Sequence, residues 1–358
     1  MRDHGKVGAP AIKLALLSAL LFGASTPFAK LVLGNGVSPW LLAGLLYLGS
    51  GLGLALVHGG LRMTVRGPAE APLARADLPW LALVILCGGA IAPVLLMAGL
   101  ATTPASTVSL LLNLEGLATL AIAWLVFREN VDRRLLVGAA AILGGALLLS
   151  WRGGGPNGGG AGILAIAGAC LAWGIDNNLT RKLSSADPVQ IAMMKGVAAG
   201  TVNLVLALML GASLPPSPIL CVAALIGFLG YGVSLVLFVL ALRHLGTARS
   251  GAYFSMAPFM GALLAIALFG EPITVTLLLA GVLMAIGLWL HLTEAHAHQH
   301  AHEALEHSHR HVHDNHHQHE HPPGIAYGEP HSHWHRHPPL VHRHAHYPDL
   351  HHRHRHPH

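Results

Sequence analysis

The sequence has few charged residues and few cysteines. Asp, Glu, Lys and Arg make up only 10% of the 358 residues, whereas apolar residues make up 53%. Soluble domains carry about 25% charged residues, so a water-soluble fold of this size could not cover its surface with so few charged side chains. The three cysteines, Cys87, Cys170 and Cys221, lie in apolar runs and form no Cys-x-x-Cys pair. Their placement argues against a disulfide framework or a cysteine zinc site.

Several functional motifs are also absent from the sequence. It contains no P-loop pattern, which argues against ATP hydrolysis by this chain. It contains no aromatic-plus-basic motif for nucleic acid and no nucleophile–base constellation for a membrane enzyme. We therefore predict that the protein is not an enzyme, requires no cofactor and does not bind nucleic acid.

Long apolar runs are what the sequence does contain. A helix needs about 20 apolar residues to cross a bilayer, and continuous runs favour helices over a barrel. The first run follows basic residues and could pass for a signal peptide, but nine more runs follow it, so we interpret it as the first span. The predicted fold is an all-α membrane protein with ten transmembrane helices. These spans cover residues 12–33, 39–57, 78–100, 106–127, 135–151, 161–180, 188–210, 219–242, 247–269 and 273–292.

Lysine and arginine are concentrated in the N-terminal segment and in alternate loops. The positive-inside rule places these segments in the cytoplasm, which predicts a multi-pass protein of the cytoplasmic membrane with both termini inside. The cations are Arg2, Lys6, Lys13, Arg62, Arg66, Arg75, Arg128, Arg133, Arg134, Arg181, Lys182, Arg243 and Arg249.

A Gly/Pro-rich segment divides the membrane region into two groups of five spans. Residues 151–160 read WRGGGPNGGG, which is typical of a flexible joint. Five is an odd number, so the second group must enter the membrane in the opposite sense, as inverted repeats of secondary transporters do. The predicted parts are an N-terminus (1–11), two five-helix repeats (12–150 and 161–292), the linker and a tail (293–358).

Short motifs near the ends of spans 4 and 9 resemble a known family. They are Asn113-Leu-Glu115-Gly116 with Phe127-Arg-Glu129, and Ser255-Met-Ala-Pro258 with Gly270-Glu271-Pro272. Together with the 5+5 layout they resemble the EamA branch of the drug/metabolite transporter superfamily, over nearly all of residues 12–292. The resemblance implies a central cavity that opens alternately to each side and export of small metabolites. It fixes no substrate.

Polar side chains inside the spans are the candidate substrate or coupling residues, because such groups are costly at membrane depth. Helical spacing places Glu115 with Thr119, and Asp176 with Trp173 and Thr180, on shared faces. Glu115 is the predicted proton carrier, because protonation removes a charge that a low-dielectric cavity disfavours. Lys195 is open to three interpretations: substrate coupling, a buried ion pair with Asp176 or Glu115, or snorkelling to the boundary. The candidates are Glu115, Thr119, Trp173, Asp176, Asn177, Thr180, Lys195 and Asn203.

The C-terminal tail is rich in histidine. Only His4, His58, His244 and His291 precede residue 296, so 24 of the 28 histidines lie in the tail. Prolines and a scarcity of aliphatic residues predict disorder, and His-x-His tracts predict binding of Ni, Co or Zn. The tail could collect metal for export, sense metal and gate another solute, or contact anionic lipid as a polycation. The candidate ligands are His296, His298, His300, His302, His331, His333, His335, His337, His351, His352, His354 and His356.

Two functions follow from these features. The first is a secondary transporter that exports a small metabolite by alternating access, with the bilayer and the solute as partners and a homodimer left open. The alternative is a metal-responsive membrane protein, or a metal exporter, in which the histidine tail is the functional element. Truncation after Thr293 separates the two.

Overall fold

The computed structural model describes residues 8–64, 77–127, 131, 133–153, 159–180, 187–245, 247–293, 296–302, 305–311, 331–337 and 340–346. The described part of the membrane region is helical, as the composition predicts. Nine helical segments are long and apolar enough to cross a bilayer, and Ala257–Phe269 is a shorter apolar helix within the described residues. The unbroken spans are Gly8–Gly34 (span 1), Pro39–Thr64 (2), Arg133–Gly153 (5), Gly159–Thr180 (6), Pro188–Met209 (7) and Val275–Leu292 (10).

Spans 4 and 9 are each interrupted within their predicted ranges. Span 4 consists of Ala105–Leu111 and Leu114–Leu125, and span 9 of Thr247–Phe254 and Ala257–Phe269. In span 4 the Asn113 amide donates to the Leu110 carbonyl at 2.8 Å. A side chain that bonds to nearby backbone in this way competes with the helical pattern.

Spans 3 and 8 each contain a π-helical segment. Span 3 runs from Leu78–Val84 through the π segment Ile85–Ile91 to Ala92–Thr102. Span 8 runs from Ser217–Gly227 through Phe228–Val233 to Ser234–Leu245. The wider turn leaves carbonyls free for other donors, and such segments are frequent at functional sites.

The helix packing of one half is repeated in the other. Span 2 packs along span 7, and span 5 packs along span 10. Span 6 packs against spans 3 and 4, just as span 1 packs against spans 8 and 9. The interrupted spans and the π-helical spans therefore occupy corresponding places in the two halves.

The largest hydrophobic core lies toward one end of the bundle. Its buried members include Leu42, Leu100, Ile166, Ala265 and Leu277. These residues lie near the loops that follow spans 1, 3, 5, 7 and 9. We call this end the packed end. The opposite end, where span 1 begins, is called the basic end.

Charged groups at the packed end hold the loop between spans 3 and 4. Lys30 donates to the carbonyls of Leu100, Ala101 and Thr103, the latter two at 3.2 and 3.1 Å. The Glu271 carboxylate accepts from the amides of Ala105 (2.8 Å) and Ser106 (3.0 Å), and from the Ser106 hydroxyl. A cation therefore binds the carbonyls that end span 3, and an anion caps the start of span 4.

Cap residues begin spans 2 and 7, as the Ser-Pro and Asp-Pro pairs indicate. The Ser38 hydroxyl accepts from the Leu41 amide at 3.2 Å. The Asp187 carboxylate accepts from the amides of Val189 (2.8 Å) and Gln190 (3.4 Å). The central part of the predicted linker, 154–158, lies outside the described residues.

The described residues of the tail form four strand segments. His296–His302 (β1) pairs antiparallel with Leu340–His346 (β4), and Leu305–His311 (β2) pairs antiparallel with His331–His337 (β3). The alternation His-x-His has the two-residue period of a strand. The register places histidine opposite histidine, as in His298 with His344 and His309 with His333.

Candidate functional site

A cavity of about 230 Å³ lies where the two halves meet. Its lining residues come from spans 1, 2, 4, 6, 7, 8 and 9, and they extend toward the basic end through Ala192 and Phe238. The polar and aromatic members are Phe22, Tyr47, Ser50, Glu115, Trp173, Asn177, Lys195, Tyr231, Ser234, Phe238 and Phe254. Such a site combines an apolar lining with a few polar groups, as small-molecule sites do.

One polar cluster joins span 4 to span 6. The Asn177 amide donates to Glu115 Oε1 at 2.9 Å and lies 3.2 Å from Thr119 Oγ1. The Thr119 hydroxyl in turn donates to the Glu115 carbonyl at 2.9 Å. Asn178 does not line the cavity, and its amide donates to the carbonyls of Gly174 (2.9 Å) and Thr119 (3.1 Å). Asn177 is thus the member of this pair that reaches the cavity.

A buried ion pair joins span 6 to span 7. The Lys195 ammonium contacts the Asp176 carboxylate, whose side chain is 6% exposed. The Thr180 hydroxyl donates to the other Asp176 oxygen at 3.2 Å. Of the interpretations of Lys195, the pair with Asp176 is the one that the structure contains, and Lys195 also lines the cavity.

The π segment of span 3 supplies a shared carbonyl beside the cavity. The oxygen of Gly88 accepts from the Tyr47 hydroxyl at 2.7 Å and from the Trp173 indole at 3.0 Å. Gly88 also lies directly against Asp176, so that a Cβ added at this position would overlap the carboxylate. The segment thereby positions two aromatic side chains and the ion pair together.

Aromatic side chains form a second wall of the cavity. The ring centroids of Phe22 and Tyr231 are 5.8 Å apart with an edge-to-face angle of 84°, and those of Phe22 and Phe254 are 5.2 Å apart. Tyr47 lies 5.7 Å from Tyr231, and Phe238 lies 4.7 Å from Phe254. Sequence analysis missed this wall, because an aromatic residue in an apolar span gives no contrast with its neighbours.

Two polar residues of the spans, of which only Asn203 was a predicted site residue, lie outside the cavity. Asn203 shares a helix face with Lys195, but its amide donates to the π-segment carbonyls of Gly89 (3.4 Å) and Ala90 (3.2 Å). The Trp40 indole donates to its oxygen at 3.3 Å. Asn113 stays at the break in span 4. Both are buried and hold backbone rather than lining the cavity.

Comparison with known proteins identifies the chain. Residues 9–151 and 160–293 each match the EamA-like transporter family. The chain belongs to this family. As an EamA-like transporter it is a multi-pass membrane protein that contacts lipid and a small-molecule substrate.

A curated relative agrees with this assignment, and a solved structure shares the fold. The relative, from Methanothermobacter thermautotrophicus, is described as an uncharacterized transporter and is 27% identical over 288 residues, which is 77% of this chain and 84% of the relative. A crystal structure of a protein with 18% sequence identity superposes with a TM-score of 0.57 and covers 79% of this chain and 97% of that one. That likeness concerns the fold.

Within the part of the chain that the structure describes, no group of three His, Cys, Asp or Glu could hold an ion. Of the predicted tail ligands, His351, His352, His354 and His356 lie outside the described residues.

Proposed function

We propose that this EamA-like transporter exports a small metabolite across the cytoplasmic membrane by alternating access, with Glu115 as the coupling group. The single observation that carries the proposal is the cavity between the two halves, lined by a carboxylate that hydrogen-bonds Asn177 and no other described residue. A carboxylate placed in this way can exchange one bound cation, including a proton, for another.

The repeated helix packing supports inverted halves. Each half has five spans, so equivalent spans cross the membrane in opposite directions if all ten cross it. The two match regions of the family and the reciprocal packing of spans 1 and 6 are what such halves require. In transporters of this kind the site lies near the midplane, between the repeats.

The position of the hydrophobic core supports an inward-facing arrangement of the cavity. The arginine-rich loops belong to the basic end, which the positive-inside rule assigns to the cytoplasm. The cavity extends toward that end, whereas the opposite end is filled by the packed core. We therefore propose that this state loads solute from the cytoplasm and that both termini lie on that side.

The test compares Glu115→Gln with wild type and with Asp187→Asn. Asp187 caps span 7 outside the cavity, and asparagine also caps helices well. Like Glu115→Gln, this change replaces a carboxylate with an amide, so it serves as the matched control. Metabolites in the medium of cells that overproduce each variant are profiled first. The flux of any exported metabolite is then followed in vesicles of purified protein with an imposed pH gradient.

We expect Glu115→Gln to reach the membrane at normal abundance and to lose the flux driven by the pH gradient. Asp187→Asn should keep it. Undiminished gradient-driven flux in Glu115→Gln contradicts the coupling role of Glu115.

A second candidate function is metal response through the tail, and the strand register favours it. Directly opposed residues in an antiparallel pair have Cβ atoms about 4.5–5.5 Å apart, which suits two imidazoles sharing one divalent ion. The register opposes His296, His298 and His300 to His346, His344 and His342. It likewise opposes His307, His309 and His311 to His335, His333 and His331.

Truncation after Thr293 separates the two functions. If transport is the function of the spans, the shortened protein keeps metabolite flux and loses Ni, Co and Zn binding measured by calorimetry. If the tail is the functional element, the truncation removes the cellular phenotype together with the metal binding.

A further inference from the structure

The charges that line or support the cavity do not balance. Asp176 is 4% exposed and is paired with Lys195, so together these two residues are neutral. Glu115 receives one hydrogen bond from the neutral amide of Asn177. No described cation forms an ion pair with it within 4.0 Å. The ionised cavity therefore carries one uncompensated negative charge.

The wall formed by span 1, span 8 and span 9 is aromatic. Phe22 contacts both Tyr231 and Phe254, and all three line the same 230 Å³ as Glu115. A solute that fills this volume therefore touches both the carboxylate and the rings. Aromatic faces attract cations within about 6 Å of the ring centroid, and more strongly where water is excluded.

We infer that the solute is a monovalent organic cation, with its ammonium or quaternary ammonium beside Glu115 and an apolar part against Phe22, Tyr231 and Phe254. This inference rests on the proposed transport function of the same cavity. One positive charge neutralises Glu115, and the rings accommodate the remainder of the solute.

The ion pair argues against anions and amino-acid zwitterions. The Lys195 charge is already balanced by Asp176, so a solute anion would add a second negative charge to the one that Glu115 carries. A zwitterion brings no net charge and would leave the cavity negative, which is unfavourable in a buried place. A cation binds where the charge is uncompensated and neutralises it.

The volume limits the size of the cation. At about 30 Å³ for each water molecule, 230 Å³ corresponds to roughly eight waters. A solute with about ten non-hydrogen atoms matches this space. Phenyltrimethylammonium meets these criteria, and its permanent charge keeps it from crossing vesicle membranes unaided.

The test measures binding of phenyltrimethylammonium to the purified full-length protein by calorimetry. Tetramethylammonium lacks the ring, phenylacetate reverses the charge, and phenylalanine is the zwitterion. Glu115→Gln removes the charge, and Phe254→Leu removes one ring of the aromatic wall. The matched controls are Asp187→Asn and Phe259→Leu, because Phe259 packs against the hydrophobic core outside the cavity.

We expect phenyltrimethylammonium to bind more tightly than the other three probes. Glu115→Gln should weaken its binding on the order of tenfold or more, and Phe254→Leu by about 2- to 30-fold. The two controls should bind like wild type. Binding of phenyltrimethylammonium that is unchanged in Glu115→Gln overturns the inference, as does tighter binding of phenylacetate or phenylalanine.

The vesicle flux assay keeps the two proposals apart. If flux of the exported metabolite depends on Glu115 but phenyltrimethylammonium neither binds nor inhibits it, the cation inference fails and the transport proposal stands. If phenyltrimethylammonium binds in a Glu115-dependent manner but no flux depends on Glu115, the cation site stands and the coupling proposal fails.

Discussion

The replacement of Gly88 by alanine tests the contact between the π segment and the ion pair. An added Cβ would overlap the Asp176 carboxylate, which is held by Lys195 on one side and Thr180 on the other. Either the carboxylate leaves its position or the segment shifts. A shift would lengthen the hydrogen bonds that Tyr47 and Trp173 donate to the Gly88 carbonyl.

The two relaxations have similar costs. Breaking a buried ion pair typically costs about 3–5 kcal/mol. Losing two hydrogen bonds costs about 1 kcal/mol each, plus the penalty of a carbonyl left without donors in a buried place. The protein will follow the less costly route, so we expect Gly88→Ala to lower the free energy of unfolding by about 3 kcal/mol, a factor of roughly one hundred in the folding equilibrium.

The assay is denaturant titration of the purified protein in detergent, followed by circular dichroism. The control is Gly144→Ala in span 5, where an added Cβ has no neighbour within 4 Å. Alanine there should be neutral or stabilising by up to about 1 kcal/mol, because glycine is the weaker helix former.

A variant that lacks the charges of Asp176 and Lys195 tests whether the loss of stability comes from overlap with the Asp176 side chain. In the double variant Asp176→Gly/Lys195→Met both the obstructing carboxylate and the Asp176 Cβ, which would lie 2.7 Å from the added Cβ, are absent. Adding Gly88→Ala there should cost less than about 1 kcal/mol more. If Gly88→Ala costs as much in that background as in wild type, the loss does not come from the contact with Asp176, and the argument fails.

Two further predictions concern the charged groups. Lys195→Met alone should destabilise the protein by about 3–5 kcal/mol, because it leaves a buried charge unpaired. Adding Asp176→Leu should recover most of that loss in the same titration, because an apolar pair then replaces the unpaired charge. A double variant that is no more stable than the single one contradicts this. Glu271→Ala removes the acceptor of the Ala105 and Ser106 amides. A peptide covering 105–111 should then exchange its amide hydrogens about tenfold faster in hydrogen-exchange mass spectrometry, which corresponds to a loss of about 1.4 kcal/mol in local stability. Unchanged exchange in this peptide would show that the cap is unimportant.

Hydropathy predicted the spans because lipid imposes a strong and continuous signal. It did not predict the interruptions of spans 4 and 9, since an apolar run looks the same whether its helix is whole or broken. In span 9, Pro258 lies two residues after the break at Met256 and is a sequence signal for it. In span 4, neither Leu112 nor Asn113 is a glycine or proline, and the break accompanies the hydrogen bond from the Asn113 side chain to the Leu110 carbonyl.

The charged side of the cavity could be predicted for a related reason. Glu115, Asp176 and Lys195 stand out in apolar surroundings, and helical spacing correctly grouped Asp176 with Thr180. Spacing along one helix cannot say which carbonyls of another helix are free. In the π segment of span 3 the carbonyls of Gly88, Gly89 and Ala90 accept side-chain donors, and Asn203 binds two of them instead of lining the cavity.

The packed end shows what closing the basic end would require. At the packed end, apolar side chains such as Leu42 and Leu100 meet across the bundle and exclude water. The corresponding closure at the basic end would bring apolar surfaces together over Glu115, and an ionised carboxylate without a counter-charge resists such dehydration. An empty carrier would then be unable to close its basic end, whereas a carrier with a proton or a solute cation bound at Glu115 could close it. Obligatory exchange would follow from the electrostatics of this single side chain.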